Sequence, residues 1–130
     1  MHLESPKKTV SKSNEEVFKF LCDIKNFKQL MPENISKFEV LSEDTFIFAL
    51  KGMPEITLKL KEKTPYSKIV LGSADGKLNF MLTADIIELT ENSSEVTLHF
   101  NGEFNAMMAM MIKNPITNFI GTLSGNMSKI

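Results

Sequence analysis

Val96-Thr97-Leu98-His99-Phe100-Asn101-Gly102-Glu103-Phe104-Asn105-Ala106-Met107-Met108-Ala109-Met110-Met111-Ile112 holds the change of period on which the fold turns. Up to Phe104 the pattern has period two. Val96, Leu98, Phe100, Gly102 and Phe104 share one face, and Thr97, His99, Asn101 and Glu103 the other. That is a strand with one buried and one wet side. Beyond Asn105, Met108, Ile112, Ile116, Phe119, Leu123, Met127 and Ile130 recur every three or four residues. This spacing predicts a long amphipathic helix to the end of the chain. Pro115 lies inside it, where a missing N–H predicts a kink or a break. Gly121 and Gly125 each weaken a helix by about 1 kcal/mol relative to Ala, unless they permit close packing.

Upstream of the switch, period two continues. Residues 78 to 90 and 95 to 105 read as two long strands joined at Glu91-Asn92-Ser93-Ser94. Ala74-Asp75-Gly76-Lys77 is a hairpin turn signal after the Ile69-Val70-Leu71 strand. Ile56, Leu58 and Leu60 alternate with Thr57, Lys59 and Lys61, and Gly52-Met53-Pro54 breaks the chain before them. Phe46, Phe48 and Leu50 pair with Phe38 and Val40 across the Ser42-Glu43-Asp44 turn. Alternation of this kind argues an antiparallel sheet. Near the N-terminus, residues 3 to 12 read as one strand. Ser13-Asn14-Glu15-Glu16 is a capping box opening a helix with Val17, Phe20, Leu21 and Ile24 on one stripe. A second short helix, Phe27 to Met31, ends before Pro32.

The 130 residues predict a single domain spanning 1–130 with a core of ordinary size. Net charge is -1 and every one of the 15 basic residues is Lys. Neither a strong field nor Arg forks are present to draw nucleic acid. One Cys excludes an intrachain disulfide framework, and two His give no expectation of a metal site or cofactor. The start has no apolar leader, and the longest strongly apolar run, Met107 to Ile112, is far short of the roughly 20 residues of a spanning helix. A cytoplasmic protein with no membrane span is the expectation.

Strands in one run with helices at the ends imply an α+β layer. A sheet of six or seven antiparallel strands curls, and its apolar concave face requires the C-terminal helix as cover. The order of elements resembles the START-like superfamily, also called SRPBCC or Bet v 1-like. The resemblance rests on Ser13-Asn14-Glu15-Glu16-Val17-Phe18-Lys19-Phe20-Leu21, on Asn26-Phe27-Lys28-Gln29-Leu30-Met31-Pro32, and on the strand-then-helix end from Phe100 to Ile130. It implies the helix-grip fold: a curled antiparallel sheet around a long C-terminal helix, with two short helices after the first strand. The superfamily includes lipid and sterol carriers, polyketide cyclases, quinone-binding chaperones and ligand stores, and fold alone does not choose among them.

Ten Phe with one Tyr and no Trp give inward faces without hydrogen-bonding handles. Phe38, Phe46, Phe48, Phe80, Phe100 and Phe104 sit on the inward phase of their strands. The run Met107-Met108-Ala109-Met110-Met111-Ile112 either lines a cavity or its mouth, as adaptable Met side chains suit, or packs as plain core. The expected ligand site is Phe48, Leu58, Phe80, Phe100, Met108, Met111, Ile112 and Phe119. No catalytic residue is expected. His99 and Asp85 fall on the wet phase of their strands, Glu88 near a strand end, and Cys22 reads as a small buried residue. The lysines at 51, 59, 61, 63 and 68 read as a solvated face broken by Glu55 and Glu62.

Three functions compete. The first is binding of an apolar small molecule or lipid between sheet and helix, by a monomer or a dimer. The second is a cyclase or dehydratase, which needs inward polar groups. The third is a protein-interaction or co-chaperone module, favoured by a filled core with an exposed apolar patch.

Overall fold

Short polar and β-branched segments at the start dock onto the strand that precedes the last helix, which brings the two ends of the sequence together. A computed structural model describes residues 1–51, 53, 55–74 and 79–130. In order it contains β1 (His2–Glu4), β2 (Lys8–Val10), α1 (Asn14–Cys22), a 3-10 helix (Ile24–Leu30), β3 (Ile35–Val40), β4 (Thr45–Leu50), β5 (Ile56–Thr64), β6 (Lys68–Ser73), β7 (Asn79–Thr90), β8 (Ser93–Glu103), α2 (Ala106–Asn126) and a closing 3-10 turn (Met127–Lys129). All strands form one antiparallel sheet in the order β1-β8-β7-β6-β5-β4-β3, with β2 also on β8.

That makes eight strands where the pattern predicts six or seven. The extra one arises because the N-terminal stretch is two strands, not one. Ser5 and Pro6 interrupt the pairing with β8: the Ser5 N–H donates to Leu98 O at 2.9 Å, and Ser5 Oγ accepts from the Leu98 N–H at 2.9 Å. Pro6 has no N–H to continue the ladder. The turn signal at 74–77 and the strand start at 78 fall partly outside the described residues, as does the 52–54 break.

Local chemistry explains the helix ends. Ser13 Oγ accepts from the Glu16 N–H at 3.2 Å and caps α1. Asn105 Oδ1 accepts from the Met108 N–H at 2.8 Å and caps α2. α2 then runs through Pro115 as one continuous helix, so of the expected kink or break the break does not occur. The carbonyl that loses its partner belongs to Met111, which is 68% exposed, so water can satisfy it.

The sheet curls around α2 and buries one face against it. Phe46, Phe48, Leu58, Leu71, Leu82, Leu98 and Phe100 meet Ile112, Ile116, Phe119, Ile120 and Leu123 in one core, with α1 and the 3-10 helix closing the far end through Leu21, Phe27 and Leu30. Gly121 and Gly125 have nothing within 4 Å of where a Cβ would stand, so they do not serve close packing. Cys22, expected buried, is half-buried. No described helix is long and apolar enough to cross a membrane.

Candidate ligand-binding site

The site follows from strand phase. β4, β5, β7 and β8 each send alternate side chains toward α2, and α2 returns its apolar stripe. Phe48, Leu58, Phe80, Phe100, Ile112 and Phe119, six of the eight residues the sequence singles out, surround one cavity. Five further side chains complete the lining: Met53, Ile56, Leu82, Phe104 and Ile116. The pattern reading puts Phe104 on the inward phase of its strand and misses the other four. Ile56, Leu82 and Ile116 lie on the same phases as the residues it chose, so their periodicity was the available signal.

Aromatic stacks shape the two ends. Phe48 and Phe119 stack at 4.9 Å with planes 9° apart. Phe80 and Phe100 stack at 5.4 Å, and Phe104 lies parallel to Phe100 at 6.1 Å. Such pairs contribute about 0.5–1.5 kcal/mol each beyond burial. Gly102 makes the second arrangement possible: a Cβ there would sit 2.3 Å from Phe104 Cε2 and 3.0 Å from Phe80 Cβ.

Every described lining residue is apolar, and the cavity is nearly filled. Its free volume is about 20 Å³ at the width of a water molecule, and a wider space of about 410 Å³ includes open solvent at its edge. The smaller figure decides what fits: roughly one water by size, and a water there would find no polar partners. A ligand therefore requires the side chains to move apart.

Met53 and Phe119 also line a second, outer groove of about 340 Å³ between α2 and the β3 and β4–β5 ends. Asn114, Asn118 and Thr122 form one side, and Asn34 and Lys51 the other. Pro32, Leu50 and Pro115 complete this groove, and Met53 and Phe119 line both it and the apolar cavity.

Two predicted residues lie elsewhere. Met108 is half-buried and packs against the core without lining the cavity. Met111 is 68% exposed, and Met107 and Met110 are 75% and 81% exposed. The residues between and beyond them fix the phase of α2: Ile112, Ile116 and Phe119 point inward, which turns Met111 out.

Among the described residues, no ionisable side chain lines the cavity. His99 Nε2 lies 3.0 Å from Asp85 Oδ2 on the outer face of the sheet, away from the cavity lined by Phe100. Burial pushes the Cys22 thiol up, opposed by the nearby Lys63 charge, so it is not an activated nucleophile.

No family model matches the chain, and no curated protein matches its sequence. Solved structures match it end to end. Norcoclaurine synthase from Thalictrum flavum, in complex with dopamine and hydroxybenzaldehyde, superimposes with a TM-score of 0.77 at 12% identity, covering 99% of this chain and 84% of that one. A START superfamily protein from Mycobacterium smegmatis gives 0.69 at 11% identity, over 98% of this chain and 97% of that one. The chain has the START-like, Bet v 1-like helix-grip fold. A conserved protein from Geobacillus kaustophilus gives 0.71 at 15% identity, over 99% and 93%. At such identities the likeness of this helix-grip chain to the others concerns the fold, and function has to be argued from the site.

Proposed function

We propose that this helix-grip chain binds an apolar or amphipathic small molecule, such as a lipid, between the sheet and α2. The observation that carries the reading is the wholly apolar cavity under α2, joined through Met53 and Phe119 to a polar groove. The apolar part of the ligand enters by displacing Met53 and Phe119, and its polar end stays with Asn114, Asn118 and Lys51. Because the resting cavity is almost full, binding selects an opened state. The apparent affinity is then reduced by the fraction of molecules that are open. The solved relative that holds small aromatic molecules supports a binding role for this fold, and it is an enzyme by name. The cyclase-type reading has less support here, since it needs polar groups facing the ligand and the cavity offers none.

A fluorescence titration with a naphthalene or long-chain fatty-acid probe tests the proposal. Ile112→Phe adds bulk where the void lies and is expected to weaken binding at least about tenfold, at a folding cost of about 1–3 kcal/mol visible in melts. Met111→Glu, on the exposed side, is expected to leave binding unchanged. Loss of binding in Met111→Glu with no effect of Ile112→Phe would reverse the assignment.

A second reading has its own observation. Met107, Met110 and Met111 expose a flexible apolar surface on the first turns of α2, the kind that suits a protein partner. Failure of the folded wild type to bind any apolar probe moves the assignment to that surface.

A further inference from the structure

The chain has two histidines, His2 and His99, at opposite ends of the sequence. Counted as isolated residues they predict no metal. The sheet brings them together. β1 pairs with β8 in the register His2↔Asn101, Leu3↔Phe100 and Glu4↔His99, so His2, Glu4, His99 and Asn101 share the outer face. Asp85 on β7 joins them there. The terminus is pinned: the Met1 ammonium donates to Gly102 O at 2.7 Å, and the Gly102 N–H donates to Met1 O at 3.0 Å.

Each ring is held on one nitrogen. Asp85 Oδ2 takes Nε2 of His99 at 3.0 Å, and Asn101 Oδ1 takes Nδ1 of His2. In a neutral imidazole whose N–H lies on such an acceptor, the opposite nitrogen, Nδ1 of His99 or Nε2 of His2, carries the lone pair. The two rings lie 5.6 Å apart between centroids. One ligand atom from each of His2, Glu4 and His99 falls within 4.8 Å of the others.

We propose that His2, His99 and Glu4 form a surface binding site for a divalent transition-metal ion, Zn²⁺ in the first instance. Two imidazoles and a carboxylate are an N/O ligand set suited to Zn²⁺, and three protein ligands leave a fourth position for water. Bonds of about 2.0–2.2 Å place tetrahedral ligand atoms roughly 3.3 Å apart. No pair therefore has to close by more than roughly 1.5 Å, within the reach of rotation by the exposed His2 and Glu4 side chains. Asp85 and Asn101 act as positioning residues. Each accepts the proton of the non-ligating nitrogen, which fixes the tautomer and aims the free nitrogen at the ion.

The test is competition between tag-free protein and a chromophoric chelator of micromolar affinity for Zn²⁺, with Co²⁺ absorption reporting geometry. The expected result is one ion per chain. His2→Ala, His99→Ala and Glu4→Gln should each weaken binding at least about tenfold. Asp85→Asn should weaken it about 10–100-fold while the metal-free protein melts within a few degrees of wild type. Asp44→Asn, at the far edge of the sheet, should change nothing. Failure to compete with the chelator, or binding that survives the His2→Ala, His99→Ala double substitution, overturns the proposal.

Discussion

Gly102 shows how one missing methyl group can shape a site. Its neighbours on β8 alternate large apolar and polar groups, and at 102 the apolar phase is left empty so that the Phe104 ring can fold back over Phe80 and Phe100. Gly102→Ala forces that ring away, because the clash at 2.3 Å is with ring carbons and the one at 3.0 Å is with Phe80 Cβ. The expected outcome is a loss of about 1–3 kcal/mol in denaturant unfolding. Apolar probes should also enter more readily, since a ring that lines the cavity has moved. Unchanged stability together with unchanged probe binding would show that Phe104 does not close the cavity. The residue scale is also where the sequence was least informative. Alternation put Phe48, Leu58, Phe80 and Phe100 on the correct side, because strand phase is set locally. Met111 was assigned inward although it faces out. In Met107 to Met111 every position is apolar, so composition carries no phase, and the buried residues further along, Ile112, Ile116, Phe119, Ile120 and Leu123, orient the helix.

At the level of elements, α2 was legible in type and extent. Its stripe keeps a three-four spacing over some six turns, and Asn105 is a cap of the preferred kind. At its interruptions one alternative of each reading fails, the break at Pro115 and close packing at the glycines, because local rules do not know what stands opposite. Pro115 leaves the Met111 carbonyl facing water, where it is tolerated, and Gly121 and Gly125 face open space. The latter gives a direct expectation. Replacing both glycines with Ala should stabilise the protein by roughly 1–2 kcal/mol and raise the melting temperature by several degrees. A decrease would mean that the helix packs against something at those positions. The split of the N-terminal strand was not legible, because it depends on Ser5 meeting Leu98, a partner far away in the sequence. The approach of His2 to His99 was hidden for the same reason: it exists only through the β1–β8 register, which sets His2 opposite Asn101 and Glu4 opposite His99.

For the whole molecule, the order of elements was sufficient to recover the grip of sheet on helix, since an antiparallel sheet with one apolar face and one remaining long apolar helix has few ways to bury both. The size of the cavity was not recoverable. It depends on how eleven apolar side chains fill the space, and packing of that kind leaves no periodic trace in the sequence. The outcome, about 20 Å³ of free volume beneath a helix with a polar groove at its side, makes uptake a matter of opening. The most direct test of that account is a heteronuclear NMR titration of the full chain with a naphthalene probe. The account predicts saturable shifts concentrated at Phe48, Leu58, Phe80, Phe100, Ile112 and Phe119, with broadening at Met53 and Phe119 where the ligand passes. Shifts confined to Met107, Met110 and Met111, or no saturable shift at all, would contradict it.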